Sequence, residues 1–339
     1  MSTQITNSDV EELHRNIQEA TTIAGNNVQL IPNLEEIHRY ASEVSTPDRT
    51  ANFLNLLNQI RGFRSPVQDR SAQLVLQIRD IFSLYPHPFQ PRTILNQINY
   101  LGPSTARDGM ELLRDLNLRD SKVDSFKEEL NKWYDEVKDK EGKAKSKKTE
   151  KEKDADEARK AYKAAGEYAE QLEDMAEKKG GVLFKVVGFV TGALMLVDGG
   201  VSATTFAALS ALAGKMADDA LKKYSKSELK DLAKDFRREE TKAQDLVTTF
   251  TKEFDAATSD FDKYSDQRKM LSTFQTRLLN SSAKIVPSMT LIWAFHSVLR
   301  NFVTEHRNDE QTQLRPHIQL MNTWASTIVS DCERFAETY

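Results

Sequence analysis

The sequence predicts an all-α protein: an elongated antiparallel bundle of long helices with a central apolar hairpin, a β-tongue or a helical hairpin, as its head. Three observations carry this expectation. Apolar residues recur every three or four positions over most of the 339 residues, which is the spacing of one buried helix face. Only 9 prolines are present, and they gather at a few breaks. A nearly uncharged stretch, "VLFKVVGFVTGALMLVDGGVSATTFAALSALA" at 182–213, stands in the middle of a chain that is 29% charged.

Asp9 and Ser8 offer N-caps for a first helix over 9–30, whose apolar face steps through Val10, Leu13, Ile17, Ala20, Ala24 and Val28. Shorter helical patterns follow at 49–61, after Pro47, and at 67–85, after Pro66. The run "YPHPFQP" at 85–91 then breaks the chain, because proline removes a backbone donor and pushes the residue before it out of helical geometry. A second break, "GPST" at 102–105, places Ser104 where a helix can begin.

From there the scale changes. Val123, Phe126, Leu130, Trp133 and Val137, then Ala144, Ala155, Ala158, Tyr162, Ala165, Ala169 and Leu172, keep a near-heptad phase, so 104–179 reads as one very long helix or two collinear ones. At ~1.5 Å per residue that is on the order of 100 Å. Within it, 13 of the 17 residues of 138–154 are charged, and Lys140, Lys147 and Lys151 fall on seam positions. That stretch reads as a solvated helix face or a loop.

The pattern returns with Leu232, Phe236, Ala243, Leu246, Phe250, Ala257, Phe261, Tyr264, Leu271, Phe274 and Leu278, a second long amphipathic helix over 214–282. Two long helices joined by a short connection run antiparallel and bury their seams on each other. Past Pro287, "SMTLIWAFHSVLRNFV" and then Leu314, Ile318, Met321, Trp324, Ile328 and Phe335 give two more helices. The expected division is therefore 1–103 for the N-terminal helices of the bundle, 104–179 for the first long helix, 180–217 for the head, 218–282 for the second long helix and 283–339 for the C-terminal helices.

The head divides into two apolar limbs around Asp198, Gly199 and Gly200, a strong turn signal. Its membrane-inserting candidates are Val182, Leu183, Phe184, Val186, Val187, Phe189, Val190, Leu194, Met195, Leu196 and Val197 on the first limb, with Val201, Phe206, Leu209 and Leu212 on the second. Each limb approaches the ~20 residues of a membrane-crossing helix when its ends are counted. The two charges fall outside mid-limb: Asp198 at the turn, and Lys185 near the entry level, where it can snorkel. Gly188 and Gly192 on one limb face Ala203, Ala207 and Ala211 on the other, and small residues at that period let helix backbones approach closely in lipid. All three tryptophans, Trp133, Trp293 and Trp324, lie outside the hairpin. "VLFKVVGFV" also suits a strand, so the limbs stay open between strand and helix in water.

This arrangement resembles the α-helical pore-forming toxins of the cytolysin A type, with the haemolytic and non-haemolytic enterotoxin components of bacilli and the xenorhabdolysin-type binary toxins. The resemblance rests on the two long helices with the apolar head between them and covers most of the chain. It implies a secreted, water-soluble rod whose head is tucked away until it meets a target membrane, then inserts as protomers assemble into a homo-oligomer, or a hetero-oligomer with a partner subunit. It implies as well that amphipathic helices line the pore and that a terminal helix can rearrange; the 9–30 helix has the amphipathic pattern of such an element, a pattern that an ordinary bundle helix shares.

Other chemistry is not indicated. Net charge is −4 with both signs mixed, which disfavours nucleic acid as a partner. His14, His38, His87, His296, His306 and His317 have no metal-ligand spacing. The chain has no phosphate-cradling GxxxxGK[ST] and no GxSxG elbow, so no enzyme and no cofactor is expected. Cys332 is the one cysteine, which leaves no intramolecular disulfide and reads as a small buried residue. The first residues carry no recognisable signal peptide, so export is expected by another route. The alternatives are a cytoplasmic, membrane-associated scaffold held by a permanently inserted hairpin, and a bundle in which the hairpin is a buried core element.

Overall fold

A computed structural model describes residues 4–86, 93, 96, 105–178, 207–209, 211–212, 224–306 and 311–338. The described residues form α-helices and no strand: α1 (Asn7–Asn27), α2 (Leu30–Val44), α3 (Pro47–Gly62), α4 (Arg64–Ser83), α5 (Thr105–Lys178), α6 (Lys226–Ser281), α7 (Val286–Glu305) and α8 (Gln311–Thr338). The all-α fold class is the one expected. The chain forms two compact units, 1–134 with 270–339 and 135–269, so the division falls inside both long helices.

In the first unit, α1 starts earlier than Ser8 or Asp9 would have it. Thr6 is the cap: its hydroxyl accepts from the Asp9 backbone N–H at 3.3 Å, and the Asp9 carboxylate accepts from the Thr6 N–H at 2.7 Å. Two orphan amides are satisfied reciprocally, the logic of a capping box. Thr6→Ala should lower stability by about 1 kcal/mol; urea unfolding checks this, and an unchanged midpoint would mean that the box contributes nothing. Val10, Leu13, Ile17, Ala20 and Ala24 are buried, whereas Val28, past the end of the helix, is 49% exposed.

Helix α2 was not foreseen. Leu30, Leu34, Ile37 and Ala41 are buried at helical spacing, and Pro32 stands among them without breaking the helix. It lies in the first turn, where a missing N–H leaves no intrahelical bond unmade. Pro66 does the same in α4, and Pro47 opens α3 behind a Thr46 cap.

The core of this unit gathers Val10, Leu13 and Ile17 of α1, Leu74, Ile78 and Phe82 of α4, Met289, Ile292 and Leu299 of α7, and Met321, Ile328 and Phe335 of α8. Helix α8 packs on both α4 and α1. A second packing centre is aromatic. Phe53 of α3 lies 4.7 Å from Phe126 and 6.0 Å from Trp133 of α5, while Tyr40 of α2 lies 5.8 Å from Trp133 and 5.5 Å from Phe274 of α6, centroid to centroid.

The second unit holds the rest of α5 and α6. Glu141 pairs with Arg268 at 2.9 Å, Lys151 with Glu253 at 3.0 Å and Glu173 with Arg237 at 3.0 Å. Partner numbers fall in one helix as they rise in the other, so the pair is antiparallel. The charged stretch 138–154 is helix throughout. Its seam differs from the expected one: Lys140 and Lys147 are exposed, and Glu141 and Lys148 take their places, Lys148 lying 5.2 Å over the Phe261 ring. The physical reason is a phase slip. After Val137 the buried positions step by four again instead of three, the stutter expected when a 3.6-residue helix departs from a strict heptad. A compensating slip buries Ala161 and leaves Tyr162 exposed.

Candidate functional site

The apolar head joins the end of α5 to the start of α6, and what holds those two ends together defines its base. Ala161, Ala165, Ala169, Leu172 and Ala176 of α5 pack against Leu229, Leu232, Ala233, Phe236 and Ala243 of α6. Tyr168 sits 5.3 Å from Phe236, and desolvation pushes its phenol pKa up. Alanine dominates because it lets two helices approach with little side-chain entropy lost.

Helix α6 begins at Lys226, not at 214. Ser225 caps it: its hydroxyl accepts from the Glu228 N–H at 3.3 Å while the Glu228 carboxylate accepts from the Ser225 N–H at 2.6 Å. On the outer face, Arg237 donates to both Glu173 carboxylate oxygens, at 3.1 and 3.0 Å, and to Glu240 at 2.8 Å. The bidentate guanidinium holds the Glu173 carboxyl below the usual carboxylate range.

Few of the head residues singled out in the sequence fall among those described. Val182, Leu183, Phe184, Val186, Val187, Phe189, Val190, Leu194, Met195, Leu196, Val197, Val201 and Phe206 lie outside them, as do Asp198, Gly199 and Gly200 of the turn and Gly188, Gly192 and Ala203 of the limb contact. Residues 207–209 and 211–212 are helical. Leu209 is buried, 2% exposed, within the alanine-rich cluster, and Leu212 packs on the same cluster half-buried. Ala207 and Ala211 point to solvent. The seat for Leu209 and Leu212 was not foreseen; its signal is the three-residue spacing of two leucines opposite a run of alanines.

No helix of the described residues is long and apolar enough to cross a membrane. Among them, no group of three or more His, Cys, Asp or Glu side chains could hold a metal ion. Cys332 is buried, and burial pushes its thiol pKa up to about 12, which keeps it protonated and unreactive at neutral pH.

No family model and no curated protein sequence matches the chain. Among solved structures, it is similar to PaxB from Photorhabdus luminescens, with 12% identity over 98% of both chains and a TM-score of 0.38. Both values are too low to carry fold or function across.

Proposed function

We propose that the protein is an α-helical pore-forming toxin, or one component of a multi-part toxin, that acts by inserting its 182–213 segment into a target membrane and assembling into an oligomer. It does so after leaving its producing cell as a water-soluble protein, and its action is not catalytic. One observation supports the reading: a 32-residue segment with only Lys185 and Asp198 charged joins two long amphipathic helices that pack along their apolar seams, where, of its described residues, Leu209 and Leu212 are seated. Transfer of such a segment into hydrocarbon gains ~25 cal/mol per Å² of apolar surface. That is a sufficient driving force for a large conformational step.

The test is dye release from liposomes by detergent-free protein, alone and with lysate of the producing cell to supply any partner subunit. Val190→Glu combined with Ala207→Glu should abolish release while leaving the helical spectrum intact, since Ala207 is exposed and a charged limb is costly in lipid. Release undiminished by both charges would overturn the reading. Co-sedimentation with the producer's own membranes on expression would favour the anchored-scaffold alternative instead.

A further inference from the structure

Where the end of α4, the end of α7 and the first turns of α8 meet, three buried rings and a half-buried one form a cluster. His317 of α8 is 8% exposed. Its Nε2 lies 3.1 Å from the hydroxyl of Tyr85, just past α4. Its ring stacks on Phe302 of α7 at 4.0 Å between centroids and 29° between planes. His306, just past the end of α7, packs on the same phenyl ring at 4.4 Å. The remaining nitrogen of His317, Nδ1, is buried without a hydrogen-bond partner.

We propose that this junction is an acid-sensitive clasp, which releases the packing of α8 against α4 and α7 when His317 takes up a second proton. A neutral imidazole has one N–H and one lone pair, and Tyr85 satisfies Nε2 in either tautomer, as donor or as acceptor. An imidazolium has two N–H groups. Tyr85 can accept from one, and the other then points into the protein as a charged donor with no acceptor.

Among the described residues, the groups facing His317 offer no countercharge. From α4 it faces Tyr85, whose phenol burial keeps protonated. From α7 it faces Phe302 and His306, and His306 repels a positive ring. The carboxylate of α8 that does face a histidine, Asp331 with His14 of α1 at 2.5 Å, lies about four helical turns away. The Phe302 face attracts a cation, but more weakly than water would hydrate it. A second buried imidazole, His296 of α7, is 4% exposed and is also faced by a cation, Arg300.

Burial, with His306 beside the one and Arg300 beside the other as the second cause, holds both His317 and His296 down to about 4. A histidine depressed in the fold contributes stability above its unfolded value near 6.5 and loses it as pH falls from there towards 4. Each such group lowers the folding constant about tenfold per pH unit within that window.

The inference rests on the packing of this unit and not on the pore-forming reading, so its test involves no membrane. Urea unfolding of the full chain at pH 7.5 and pH 5.0 is followed by tryptophan fluorescence, since Trp293 and Trp324 lie on α7 and α8. His317→Gln removes the titration but can still bond Tyr85; His38→Gln, on half-buried α2, is the control. Between the two pH values the wild type and the control should lose about 30-fold more in folding constant than His317→Gln, the 1.5 units below 6.5. Equal losses would overturn the proposal. Should His317→Gln not fold, the histidine ring resonances of the wild type decide: a folded-state His317 signal that stays neutral below pH 5 supports the clasp, and one that titrates near 6.5 refutes it.

Discussion

Phe126→Ala is expected to destabilise the protein by about 3–5 kcal/mol, the cost of truncating a fully buried aromatic side chain. Phe126 has no exposed surface and lies 4.7 Å from Phe53, which itself packs on Trp133. Truncation removes the ring's transfer free energy and leaves a cavity that two rigid aromatic neighbours cannot close. Phe126→Leu keeps most of the volume and should cost under half as much. Urea unfolding measures both. An alanine variant within about 1 kcal/mol of wild type would show that the α3–α5 contact is looser than its geometry.

Gly109→Ala should also destabilise, against the usual sign. In a helix interior alanine is favoured over glycine by about 1 kcal/mol. At position 109 a Cβ would fall on the indole ring of Trp293, meeting Cδ1 and Nε1 inside any allowed contact distance. The ring is bulky and lies against the core of its unit, so the overpacking cost of about 1–3 kcal/mol outweighs the propensity gain. Pairing the change with Trp293→Leu makes room, and the double variant should recover the alanine gain. A stabilised Gly109→Ala single variant would show that Trp293 moves aside freely.

These two sites mark what could be read from sequence and what could not. The all-α class and the long helices follow from apolar spacing alone, because a 3.6-residue period repeated over tens of residues has one explanation. Phe126 lies on that spacing and was legible as core. Gly109 was not: nothing about a lone glycine states that an indole 184 positions later rests on it. Helix α2 was missed although Leu30, Leu34, Ile37 and Ala41 keep helical spacing, with Pro32 in its first turn where a proline is tolerated. Lys140 and Lys147 were misplaced by one position because a small phase drift is invisible where apolar markers are sparse. Of the candidate head, the limbs and turn expected from composition lie almost entirely outside the described residues. The seat of Leu209 on α5 and α6 needed the fold, since alanines far apart in the chain become one surface only when the two helices pair.

That alanine seam leaves open how the two helices find their alignment. The alanines of α5 are nearly equivalent knobs, so a slip of one heptad would still set the apolar face of α6 on alanine. The charged pairs are not equivalent. With Glu141 facing Arg268, a slip of seven residues brings Arg268 opposite Lys148 or Tyr134, and Lys151 parts from Glu253. Glu141 is buried and Lys151 half-buried, and the pairs act as a key that fits one register.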